Sequence, residues 1–441
     1  ANVYAVLNCG VCSSVDENHD KHETTITGGK FNGTISQTVG KITILGGTFS
    51  SDVSSYCAEN YAAENNGNNT YTVKPLKDVA VAQIEENGFY KTIEAAVNAA
   101  KNGTTITLLK DTTEDVTVPS NKKIILNLNG KKLTNVSNNT ITIEQGAELT
   151  VNGNGTVDNI THGKSAIYNK GTATLENGTF NRSKEAGKNA KENGGNSYYT
   201  VLNHGKMTVE PGVTVNNKGG YSSLFENGYF NYTKTQDGIE FPELTINGGT
   251  FTGGINTIKN DDNATLTIKD GIFKNYTQSA FQNHHIATIE GGTFDGANVY
   301  AVLNCGVCSS VDENHDKHET TINGGYFNGN ISKTVGKITI SGGYFTSDPT
   351  KYLATSTVEN KKYVAEVSDD PSYVYKVVPA GVDDVPVVPA VGEVQVSGAD
   401  KLGLDATKKE AVENAAKKVE AEKINVAAAE VANKISPDAA N

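Results

Sequence analysis

The sequence predicts an all-β fold in which short strands coil in parallel as a solenoid of about 22-residue turns. It adds a short N-terminal cap helix at about 90–102 and a C-terminal helical segment. Three observations predict this. Phenylalanine recurs in the setting Gly-x-Phe at Phe180, Phe251, Phe273, Phe294, Phe327 and Phe345, spaced by 22, 21 and 18 residues where nothing intervenes. In step with it, asparagine closes the apolar runs SAIYN, TVLN, SLFEN, NTIKN, SAFQN and YAVLN at Asn169, Asn203, Asn227, Asn260, Asn283 and Asn304. Two positions before each lies a large apolar residue: Ile167, Val201, Phe225, Ile258, Phe281 or Val302. Finally, residues 1–52 and 297–348 align without a gap at an offset of 296, with 45 identities in 52. In a parallel coil the apolar residue and the phenylalanine stack on their equivalents one turn away. The asparagine tolerates left-handed backbone and hydrogen-bonds along the stack.

In chain order, residues 1–75 read as the closing turns of one module, and 79–379 as a complete second module. Both copies finish at a Tyr-x-Val run before proline, at Pro75 and Pro379. The second module opens with AVAQIEENGFYKTIEAAVNAAKNGTTITLL, in which Ile93, Ala96, Val97 and Ala100 share one helical face and Gly103 ends the helix. Three insertions interrupt the period. They are RSKEAGKNAKENGGNSY at 182–198, YFNYTKTQDGIEFPE between Asn227 and Phe251, and CGVCSSVDENHDKH between Asn304 and Phe327. Residues 380–398 form an extended Pro/Val linker, and 399–441 an amphipathic helical segment that begins a further domain. The sequence opens inside a module, which points to a piece of a longer tandem array.

The net charge of −12 and the single arginine, Arg182, disfavour nucleic acid and anionic membranes as partners. No apolar run is long enough to span a bilayer. Five cysteines, with Cys57 unmatched in the second copy, argue against a disulfide-stapled scaffold. The repeated NCGVCSSVDENHDKH carries candidate metal ligands: Cys305, Cys308, His315 and His318, and in the first copy Cys9, Cys12, His19 and His22. The residue after the ladder asparagine is His204, Asp261, His284 and Cys305 in neighbouring turns, so His284 falls about 4.8 Å from the base of the Cys305 loop. These nitrogen and sulfur donors suit zinc. Competing readings are a Cys-x-x-Cys disulfide pinning the loop, or a solvated loop with no special role. KNDDN at 259–263 lacks the spaced carboxylates of a calcium cage. Tyr229, Phe230, Tyr232 and Phe241 are candidates to stack on a sugar or protein ligand, with Arg182 beside them, or simply to cover the solenoid wall.

On these features the chain resembles the right-handed parallel β-helix of the pectin-lyase-like superfamily. YKTIEAAVNAAKNGTTITLL matches the amphipathic cap with which many such helices begin. Pectate lyases of that fold use calcium-binding acids with an arginine base, and its galacturonase-like hydrolases use clustered aspartates with a histidine. None of those residues carries over here, and no turn presents a carboxylate pair at a spacing relatable to an acid and a nucleophile. The repeated modules are similar to adhesin-like surface proteins of Gram-positive gut bacteria. The resemblance implies a modular protein, secreted or displayed on a bacterial cell surface, whose loops bind a host glycoprotein of mucin or immunoglobulin type, or a glycan. A polysaccharide-active enzyme and a structural spacer are the alternatives. The first turn of the N-terminal fragment is also expected to pair edge to edge with another chain.

Overall fold

The computed structural model describes residues 4–8, 22–184, 198–217, 222–229, 241–305, 318–355 and 362–380. The expected segments at 380–398 and 399–441 therefore lie almost entirely outside the described residues. What is described is mostly β-strand, arranged in long parallel sheets.

Each period contributes three strands, and each strand pairs in parallel with its equivalent one period away. Thr265–Ile268, Ile272–Lys274 and Ser279–Asn283 make up one such period. They pair with Ile286–Ile289 and with the two ends of Thr293–Asn304 in the next. Side chains alternate across a strand, so each sheet sends one row inward. The rows Leu244, Leu266, Ala287 and Ile246, Ile268, Ile289 are buried to within 2% of complete.

The Phe rows do as the spacing predicts. Phe251, Phe273, Phe294, Phe327 and Phe345 stack with centroids 5.0, 4.7, 4.9 and 4.9 Å apart. The asparagines form an unbroken ladder in which each Nδ2 donates to the next Oδ1. The steps run from Asn169 through Asn203, Asn227, Asn260 and Asn283 to Asn304, at 2.7 to 3.1 Å. A buried amide has two donors and an acceptor to satisfy, and stacking identical amides satisfies them at every step. A third row was not anticipated: Thr150, Thr174, Thr208, Thr245, Thr267, Thr288, Thr321 and Thr339 are direct partners on the outer side of one sheet.

The two copies share one geometry. Val6, Leu7 and Asn8 pair with Ile35, Ser36 and Gln37, as Val302, Leu303 and Asn304 pair with Ile331, Ser332 and Lys333. Asn8 donates to His22 O at 2.8 Å and Val39 O at 3.0 Å, and Asn304 to His318 O and Val335 O at the same distances. Phe31 and Phe49 stack at 4.9 Å and 7°, as do Phe327 and Phe345.

Antiparallel hairpins close the last turns. Tyr61–Asn65 with Tyr71–Pro75, and Tyr363–Val367 with Tyr375–Pro379, each pair onto the final Phe strand. At the other end Ala82–Ile84 pairs antiparallel with Thr104–Leu108. The cap helix is Ile93–Ala99, shorter than the expected 90–102. Its start is fixed by Thr92, which accepts from Ala95 N at 3.1 Å, and by the Glu114 carboxylate, which accepts from Ile93 N and Glu94 N at 2.8 and 2.7 Å. These acceptors satisfy amide groups that the first helical turn leaves unpaired.

Candidate functional site

One of the three sheets departs from the rest. Most strands read buried on one side and partly exposed on the other. The Asn-ladder strands Val201–Asn203, Phe225–Asn227, Asn256–Asn260 and Ser279–Asn283 are buried at every position. Leu202, Glu226, Lys259, Gln282 and Leu303 point away from the apolar core by strand alternation, yet none is more than 6% exposed. All three long insertions adjoin this sheet. One leads through Tyr198 into Val201–Asn203, and the others leave just after Asn227 and Asn304.

Charged groups converge on this sheet's outer side. Glu226 and Lys259 are direct register partners on adjacent strands. Lys259 Nζ lies 3.5 Å from Glu226 Oε1 and 2.5 Å from Asp261 Oδ2. Burial pushes Glu226 well above the usual carboxylate range; nearby Lys259 opposes the shift and Asp261 adds to it. For Asp261 burial is again the largest influence and acts upward, but the Lys259 ammonium and other neighbours outweigh it and hold this acid below its ordinary value. The two acids are thus shifted in opposite directions, Glu226 toward its protonated form and Asp261 toward its ionised form. The ladder register puts Glu226 beside Lys259, but spacing alone does not show that this side of the sheet is enclosed.

Beyond it, Asp261, Asp262 and His284 each direct one donor atom to a common region, the three atoms lying within 4.8 Å of one another. His318 joins from the next turn: it is 1% exposed, its Nε2 is 3.9 Å from Asp262 Oδ1, and its ring centroid is 5.8 Å from that of His284. Gly228, the equivalent of Asp261 one turn earlier, lets the two turns approach closely here. A Cβ on it would lie 2.9 Å from Ala264 Cβ and 3.2 Å from Asp261 Cβ, and its φ of +109° suits glycine.

An aromatic cluster flanks the charges. Tyr229 stacks on His204 at 3.9 Å, and the Tyr168 hydroxyl meets His204 Nδ1 at 3.1 Å. Burial drives Tyr168 up to about 12 and His204 down to about 4.

Several expected site residues take other roles. Arg182 is fully buried, donating to the carbonyls of Lys164, Tyr198 and Thr161 at 2.7, 2.8 and 3.1 Å. It ties down the root of its insertion and presents no surface to solvent. Cys305 is buried and disulfide-bonded, which withdraws its sulfur from the zinc set expected around it; its bonding partner lies outside the described residues. Tyr229 covers the wall, while Phe241 is 50% exposed. Phe230, Tyr232, Cys308, His315, Cys9, Cys12 and His19 lie outside the described residues. His22, the first copy of His318, is only partly buried. No helix among the described residues is long and apolar enough to cross a membrane. No protein-family profile, curated protein or solved structure matches the chain.

Proposed function

We propose that the chain is part of a modular extracellular surface protein, built on right-handed parallel β-helices, that binds a host glycoprotein or glycan through the loops rooted on its Asn-ladder sheet. The observation that carries this reading is the asymmetry of burial. One sheet of three has its outer row enclosed, and the three long insertions all adjoin that sheet. A rigid coil that concentrates its irregular segments on one side is the usual layout of a recognition surface. Repetition of a module in one chain then multiplies weak contacts by effective concentration. The outer threonine row leaves another sheet uncharged along its middle, which suits a spacer's wall.

The runner-up, a polysaccharide-active enzyme, draws on Glu226 and Asp261, whose protonation states diverge as those of an acid and its partner carboxylate do. Their enclosure weighs against it, since an acid must reach the glycosidic oxygen. The test is a glycan and glycoprotein array probed with the full chain and with a variant whose residues 230–240 are replaced by a short Gly-Ser turn. Binding by the first and loss in the second, at unchanged circular dichroism, is the expected result. Appearance of reducing ends or unsaturated products from a polysaccharide would transfer the assignment to the enzyme.

A further inference from the structure

We propose that Asp261, Asp262 and His284, with His318 as a fourth donor, bind a first-row divalent cation, zinc foremost. The donors come from three successive turns of the coil: Asp261 and Asp262 follow ladder residue Asn260, His284 follows Asn283, and His318 precedes the strand Glu319–Ile322. Three donor atoms within 4.8 Å of one another share a point roughly 2.8 Å from each, so closing to the roughly 2.1 Å of a zinc bond takes less than an ångström per donor. Two imidazoles with two carboxylates suit a borderline ion such as zinc, whereas calcium takes oxygen ligands alone.

A second observation points the same way. Asp261 and Asp262, 1% and 5% exposed, are two buried acids in adjacent positions. Two acids enclosed side by side are a setting in which a bound cation is stabilising. Lys259 lies against Oδ2 of Asp261, so this carboxylate would be shared between the lysine and the ion. The bare Cα of Gly228 lets its turn approach Asp261 and Ala264 closely. An ion here would bolt three turns together at the root of the 305–318 insertion. It would hold that root by nitrogen and oxygen, independently of the cysteines.

The experiment uses the untagged full chain, incubated with zinc chloride, gel-filtered and assayed for metal by mass spectrometry. About one zinc per chain should remain above any held by the first copy. Asp262→Asn and His284→Gln should lower zinc affinity at least tenfold, and Cys305→Ser/Cys308→Ser should keep it. Cobalt substitution supplies a readout that does not depend on the variants folding: visible d–d bands without an intense thiolate charge-transfer band are expected. Retention of full zinc by Asp262→Asn and His284→Gln, a thiolate band, or no uptake at micromolar zinc would each overturn the proposal. Metal content is measured without any glycan or glycoprotein, so the outcome is separate from that of the binding array.

Discussion

His204 is held neutral by burial, against a weaker opposing hydrogen bond at Gly228. Its ordinary value is 6.5 and its folded value about 4. Between those two pH values the unfolded chain binds the extra proton, so stability is complete above pH 6.5 and declines as the pH falls toward 4. The loss should approach about 2 kcal/mol after allowance for partial solvent contact. His204→Gln should flatten that slope in urea titrations between pH 7 and 4, and an unchanged slope would show that other groups carry it. The charged cluster makes a sharper contrast. Lys259→Met strands the Asp261 carboxylate in the interior and should cost about 3–5 kcal/mol. Burial shifts Glu226 toward its protonated form, so its neutral isostere in Glu226→Gln should move the urea midpoint little. Equal effects would mean that Glu226 is ionised in the fold.

Among the strands and their rows, the Phe and Asn periods were legible because each residue meets its own kind one turn on, and like-on-like stacking writes itself into the sequence as spacing. Phe294 sits between Phe273 and Phe327 at 4.7 and 4.9 Å. Phe294→Ala should cost about 3–5 kcal/mol in thermal or urea unfolding; a cost below 1 kcal/mol would mean the stack relaxes around the gap. Asn260 accepts from Asn227 and donates to Asn283, Ala264 O and Ile286 O. Asn260→Ala therefore orphans buried partners on both sides and should exceed the roughly 1 kcal/mol of a single exposed hydrogen bond. The threonine row was equally periodic, as the middle letter of LTV, ATL, MTV, LTI and ATI, but carried no turn residue to draw notice. The site was legible only in part. The register placed His284 beside Asp261 and Cys305, yet it could not show that Glu226 would fold over Lys259, nor that Arg182 would turn inward. Those outcomes depend on which side of a strand is enclosed, and period alone does not report that.

At the scale of the whole molecule, each turn touches mainly its neighbours, so the ends decide how the array meets other chains. The hairpin Tyr363–Val367 and Tyr375–Pro379 covers the edge of Gly343–Phe345. Deleting 362–380 should leave that edge open and produce concentration-dependent association in size-exclusion chromatography; a monodisperse monomer would show the edge to be harmless. The closeness of the two copies has a further cost, paid during folding. Val302 and Asn304 dock on Phe281 and Asn283, and Val6 and Asn8 present the same side chains in the same pairing pattern. The wrong copy can therefore claim the growing end of the coil. What separates right from wrong is chain length: the native closure spans 21 residues, the rival more than half of the sequence. Loop entropy favours the native closure by only about 2 kcal/mol, and a neighbouring molecule can supply the rival strand as readily as the chain itself. Near-identical repetition thus makes this chain prone to exchange strands between copies, and its refolding yield should fall with concentration more steeply than that of a variant whose first copy is diversified at the buried positions.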